Sequence, residues 1–225
     1  MESPKHKGTT VNYTASFCRA LAYAATAHHS QHRKSTNIPY ISHLLGVAAI
    51  VLDAEGDETE AISALLNDVV EDQPLVAGGG RGRLEDVKFQ FGDKVAKIVE
   101  ALSDWVSADI TDKKDDTSYI DRKIAYHNHL RAEADKSVLL VSAADKLHNA
   151  RAMEADFDKI QGELWSRFNG TGEQILWNYD TLIEIYVAAI EDSRRTSIVE
   201  QLAGTVARLR MKSGFAASTA PSRPS

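Results

Sequence analysis

Twelve residues constrain the fold more than any others: Val138-Leu139-Leu140-Val141-Ser142-Ala143-Ala144-Asp145-Lys146-Leu147-His148-Asn149. The first seven are apolar or small on every face, the mark of a helix that runs through the middle of a core instead of along its surface. Asp145 closes that run. A carboxylate in such a place must be paired or must coordinate a cation, because an isolated buried charge is too costly. Two readings follow: a structural ion pair with Lys146 or an arginine, or a metal ligand.

The rest of the chain supports an all-α fold. Between residues 12 and 28, Phe17, Leu21, Ala24 and Ala25 recur at the three- and four-residue steps of a buried helical stripe. A loop over 30–38 leads to Pro39, which suits a first helical turn because its missing N–H would be unpaired there. The next helix covers 41–52; Gly56 and Asp57 make a turn and N-cap, and a third helix spans 58–72, stopped by Pro74. Gly78-Gly79-Gly80-Arg81-Gly82 reads as a flexible loop; it lacks the Gly-Lys-Ser/Thr ending of a phosphate-binding loop. Helices are expected at 84–90, 93–106, 119–134, 136–151, 157–168, 172–192 and 197–211, with an exposed polar connection at 107–118. No alternating strand pattern competes with them. With 225 residues, 43% hydrophobic and 26% charged, the chain suits one domain. Its expected limits are 12–212, between a flexible start at 1–11 and a disordered Ser-, Ala- and Pro-rich tail at 213–225.

Three further segments carry chemistry. On the third helix Leu65, Leu66, Val69 and Val70 form the apolar side, and Asn67, Asp68, Glu71 and Asp72 share the other. Three acids at a helix C-terminus, where the dipole is already negative, call for a nearby cation or for screening by water. His43 sits among apolar neighbours, as a core histidine would; beside Asp68 and Asp145 it completes an imidazole and carboxylate set suited to a water-activating divalent metal. His28-His29-Ser30-Gln31-His32-Arg33-Lys34 is the densest basic patch, either idle on the surface or a phosphate and base contact through Arg33 and Lys34.

Charge narrows the partners. A net charge of -6 argues against a general nucleic-acid binder, which needs a basic face to displace counterions. Cys18 is the single cysteine, so no internal disulfide or thiolate-rich zinc site is available, and a reducing cytoplasm is expected. The polar first residues lack a secretory signal pattern, and apolar runs such as 46–52 are too short to span a bilayer. A soluble protein with no membrane or nucleic-acid partner is expected.

The ordered set Ala22 to Ala27, Arg33-Lys34, Pro39-Tyr40-Ile41-Ser42-His43, Ala64 to Asp72, Phe91-Gly92 and Ala144 to Arg151 resembles the hydrolase domain of the RelA/SpoT family, above all its small stand-alone form. The resemblance implies an HD-domain helical bundle and a 3′-pyrophosphohydrolase of the alarmone (p)ppGpp that releases pyrophosphate. It implies Mn2+, or another divalent ion, held by His43, Asn67, Asp68 and Asp145. It gives Glu71 and Asp72 the handling of water and of the leaving-group proton, and Arg33, Lys34 and Asn149 the nucleotide contacts. Trp177 or Tyr179 would wall the nucleoside pocket, unless they are ordinary core packing. Asn67 departs from the pattern, since the family has histidine there. The change is an engineered trap for a ligand, a mark of a weakly active or sensing homologue, or a ligand that still binds through oxygen. Competing functions are hydrolysis of (p)ppApp, of the NADPH phosphate or of a nucleoside monophosphate, a non-catalytic alarmone-binding module, and a purely structural helical protein.

Overall fold

A computed structural model describes residues 13–72, 79–103, 119–133, 135–191 and 193–216. The expected core helix is its axis. Helix α8 (Lys136–Ile160) starts at Asp135, whose side chain accepts from the Ser137 amide at 2.9 Å. Leu139, Leu140, Val141, Ala143 and Ala144 are fully buried. Around it in chain order lie α1 (Ala15–Ala27), α2 (Ile41–Asp53), α3 (Glu58–Leu66), α4 (Val69–Asp72), α5 (Gly79–Phe91), α6 (Asp93–Leu102), α7 (Tyr119–Ala132), α9 (Gly172–Ala189) and α10 (Ser193–Ser213). Helices α2, α3, α6, α9 and α10 all pack on α8, so one continuous apolar core serves nearly every element. No strand occurs among the described residues; an isolated bridge between His32 and Pro39 folds the basic loop back on itself. No helix among them is long and apolar enough to cross a membrane.

The structure corrects three expectations. Residues 136–151 and 157–160 form one helix instead of two, because Leu147, Ala150, Met153 and Phe157 continue a single buried stripe and no glycine or proline interrupts it. The remainder of the second expected helix is a 3-10 turn, Gln161–Arg167. The glycine-rich segment is not a loop from Gly79 onward. It opens α5, and Gly79 and Gly80 are buried. The helix expected over 58–72 is interrupted: α3 ends at Leu66, Asn67 and Asp68 form a turn, and α4 resumes at Val69. The stop at Pro74, residue 78, the connection at 107–118 and the tail beyond residue 216 lie outside the described residues.

The expected N-cap at Asp57 is a full capping box. Its side chain accepts from the Glu60 amide at 2.8 Å, and Glu60 Oε2 accepts from the Asp57 amide at 2.8 Å. Glu60 is buried and also accepts from Arg195 of α10 at 3.0 Å, which ties the C-terminal helix to the start of α3. Arg195→Met leaves that carboxylate buried without its cation. A loss of about 3 kcal/mol is expected, read as a lower urea midpoint; an unchanged midpoint would show that the pair contributes nothing.

Candidate functional site

Three of the chemistry-bearing segments meet at one end of α8. His43 comes from α2, Asn67 and Asp68 from the turn between α3 and α4, and Asp145 from the point where the apolar run of α8 stops. His43 Nε2 lies 3.0 Å from Asp145 Oδ1 and 3.3 Å from Asp68 Oδ2. Burial alone would push the imidazole down; the two carboxylates outweigh it and hold His43 above its ordinary range. Burial likewise works against ionised Asp145, but Lys146 and His43 prevail and keep it well below the usual carboxylate range. Asp68 is held down in the same way by His43 and by the Tyr40 hydroxyl, which donates to Oδ2 at 2.7 Å. Asp72 moves the other way, raised by burial and by the negative charge of Asp68.

The ion-pair reading of Asp145 is met, with Lys146 as the partner. Lys146 Nζ donates to Oδ2 at 2.6 Å, and Asn149 Nδ2 donates to Oδ1 at 2.8 Å. The Asn149 carbonyl in turn accepts from Arg33 at 2.7 Å, so this amide braces the basic loop against Asp145.

A cavity of about 240 Å³ opens over these groups. Arg33, His43, Asn67, Asp68, Glu71, Asp72, Asp145 and Asn149, all singled out in the sequence, line it. Three others do not. Lys34 is exposed on the loop outside it. Trp177 is buried against His127 with the rings 5.2 Å apart and edge-on, which is core packing. Tyr179 is buried too, close enough to feel the charges of Lys146, Asp145 and Arg33 but not part of the cavity wall.

The sequence reading gave no site role to Tyr40, Tyr126, Ser142, Leu102 or His148, and named Lys146 only as an ion-pair partner of Asp145. Lys146 lines the cavity and sits 5.7 Å from the Tyr126 ring centre. His148 is behind His43, Nδ1 to Nδ1 at 2.9 Å. Burial and the charges of His43 and Arg33 push His148 down to about 4, so it is neutral and accepts the Nδ1–H of His43. That bond orients the His43 ring and turns Nε2 toward the two carboxylates. A signal existed: Asp145, His148 and Asn149 are three and four residues apart on one helix, hence on one face.

Among the described residues no three His, Cys, Asp or Glu side chains stand open around an ion, since His43, Asp68 and Asp145 are closed onto one another by hydrogen bonds. As a donor set they nonetheless fit a divalent cation. One imidazole nitrogen and two ionised carboxylates share a point, and Asn67 Oδ1, which belongs to a cavity-lining residue, is buried with no hydrogen-bond partner. A buried orphan acceptor is costly and asks for an explanation.

The match to known proteins agrees with this fold. The HD domain family model covers residues 20–167, and the chain belongs to that family. It is 36% identical over 135 residues to the GTP pyrophosphokinase rsh of Brucella melitensis, an alignment covering 60% of this chain and 16% of that protein. It is 31% identical over 138 residues to a probable guanosine-3′,5′-bis(diphosphate) 3′-pyrophosphohydrolase of Synechocystis, covering 61% of this chain and 17% of that one. The chain thus matches about a sixth of the length of these relatives. A solved metazoan ortholog of SpoT, described as hydrolysing ppGpp, superposes with a TM-score of 0.63 over 92% of this chain and 100% of its own. At 22% identity that likeness speaks for the fold.

Gly46 of α2 faces His148. A Cβ there would fall 2.2 Å from its ring, so Gly46→Ala must drive the imidazole off His43. A loss of about 1–3 kcal/mol is expected by thermal or urea unfolding. A neutral effect would mean that the His43–His148 pair is loosely held.

Proposed function

We propose that the chain is a cytoplasmic, divalent-metal-dependent 3′-pyrophosphohydrolase of (p)ppGpp, converting it to pyrophosphate and GDP or GTP. The observation that carries the reading is the convergence of His43, Asp68 and Asp145, with the orphan oxygen of Asn67, on a cavity that also holds Arg33, Glu71 and Asp72. Kinship with relatives named for alarmone turnover supports the substrate class.

Mn2+ bound by His43 Nε2, Asp68, Asp145 and the Asn67 carbonyl would supply Lewis acidity at phosphorus and make water more acidic. Asp145 is held ionised by Lys146 at Oδ2 and by Asn149 at Oδ1, the oxygen that also faces His43. Asp72, raised by burial and by Asp68, is poised to take a proton from attacking water, and Glu71 borders the same space. Arg33, fixed by Asn149, presents a guanidinium to the nucleotide phosphates or base, and Lys34 adds charge at the entrance. Asn149 acts chiefly as a brace, and Trp177 and Tyr179 support the wall from behind.

Asn67 gives a second reading its footing. An amide oxygen is a weaker donor than imidazole, so a binding module with little turnover fits the same cavity. Incubation of the chain and its Asn67→His form with Mn2+ and ppGpp separates the two. The hydrolase reading expects pyrophosphate and GDP, with Asn67→His binding Mn2+ more than ~10-fold tighter by calorimetry and turning over faster. Tight nucleotide binding without product in either form selects the binding module. A panel of ppApp, NADPH and nucleoside monophosphates fixes the base and phosphate preference. In the Asn67→His background, Glu71→Ala should lower kcat by about 100-fold or more; full turnover would remove Glu71 from the mechanism.

A further inference from the structure

His28 and Gln31 lie outside the cavity lining, yet they are joined to one of its acids. His28 caps the end of α1 and is 2% exposed. The chain turns back at once, the Gln31 amide donating to the His28 carbonyl at 3.1 Å, which brings the two side chains together. His28 Nδ1 is 2.6 Å from Gln31 Oε1, and Gln31 Nε2 is 2.9 Å from Asp72 Oδ2. The His28 ring also stacks on Tyr40, with centroids 5.1 Å apart and planes 17° from parallel, and the Tyr40 hydroxyl holds Asp68. This stack thus reaches two carboxylates, Asp68 through Tyr40 and Asp72 through Gln31.

The polarity of this chain of bonds can be deduced. The Gln31 NH2 faces Asp72 and donates to Oδ2, so its carbonyl faces His28 and accepts. Nδ1 of His28 must then carry the proton. The other nitrogen agrees: His28 Nε2 is buried with no partner, and a proton there would be a wasted buried donor, whereas a bare lone pair wastes only an acceptor.

We propose that His28, acting through Gln31, is a positioning residue for Asp72, locking the rotamer of the carboxylate that handles the attacking water. The catalytic part of this inference rests on the hydrolase reading; the bond polarity does not. A positioning group held by a buried ring loses little freedom, and misplacement of a reacting group by a fraction of its bond length is felt mainly in the transition state. The stack with Tyr40 keeps the spacing of Asp68 and Asp72 fixed at the same time.

The test has two arms on the full chain. Nitrogen-15 NMR of labelled protein should show a proton on His28 Nδ1; an Nδ1 without a proton overturns the proposal. In the second arm, His28→Phe keeps the ring stack and the volume but deletes the bond to Gln31. With Mn2+ and ppGpp, kcat should fall about 10-fold while KM stays within about twofold. His28→Asn places an amide nitrogen where Nδ1 stood and should recover most of the loss. Undiminished kcat in His28→Phe, or no recovery in His28→Asn, overturns the positioning role. If the parent chain releases no pyrophosphate, the hydrolase reading fails, and the NMR arm still decides whether His28 holds Gln31 toward Asp72.

Discussion

The ionised carboxylate of Asp145 governs the arrangement of the site. It stands where the buried run of α8 ends, and it stays charged only because Lys146, Asn149 and His43 each supply a hydrogen bond. Removing water from such a group costs several kcal/mol, and these contacts offset that cost. Two of these contacts bring another part of the chain with them. His43 fixes the rotation of α2 against α8, and Asn149 reaches Arg33 and so anchors the basic loop. One desolvated charge thus ties the basic loop and α2 to a helix some hundred residues further along the chain.

The turn at Asn67 and Asp68 is the complementary device. An uninterrupted helix would carry Leu66 and Val69 on one stripe and leave the acids on a regular outer face. The break lets Leu65, Leu66, Val69 and Val70 all be buried while Asn67, Asp68, Glu71 and Asp72 line the cavity. Regular helices present side chains in fixed directions, and the turn frees Asn67 and Asp68 from that constraint.

Behind the cavity lies a layer of groups that touch the lining without belonging to it. His148 orients His43, and His28 with Gln31 reaches Asp72. Gly46 leaves room for the His148 ring, a case where the absence of a side chain has a specific use. Such groups fix tautomers and rotamers, and a cavity of this polarity depends on them to keep its acids in place.

Much of the fold was legible because helical periodicity and capping are local. The stripe of α8, the N-cap at Asp57 and the lack of strands among the described residues all follow from spacing and side-chain chemistry within a few residues. So did the identity of His43, Asp68 and Asp145 as a set, because a histidine and two acids in apolar surroundings demand partners. Two things were decided only by tertiary packing. The glycine-rich segment became helix through burial, and the helix bearing Asn67 broke where its acids had to turn inward. The same is true of His148, His28 and Trp177, whose roles depend on what lies across the core. Periodicity says which face of a helix is buried; which neighbour it meets there is set by long-range contacts that no local pattern encodes.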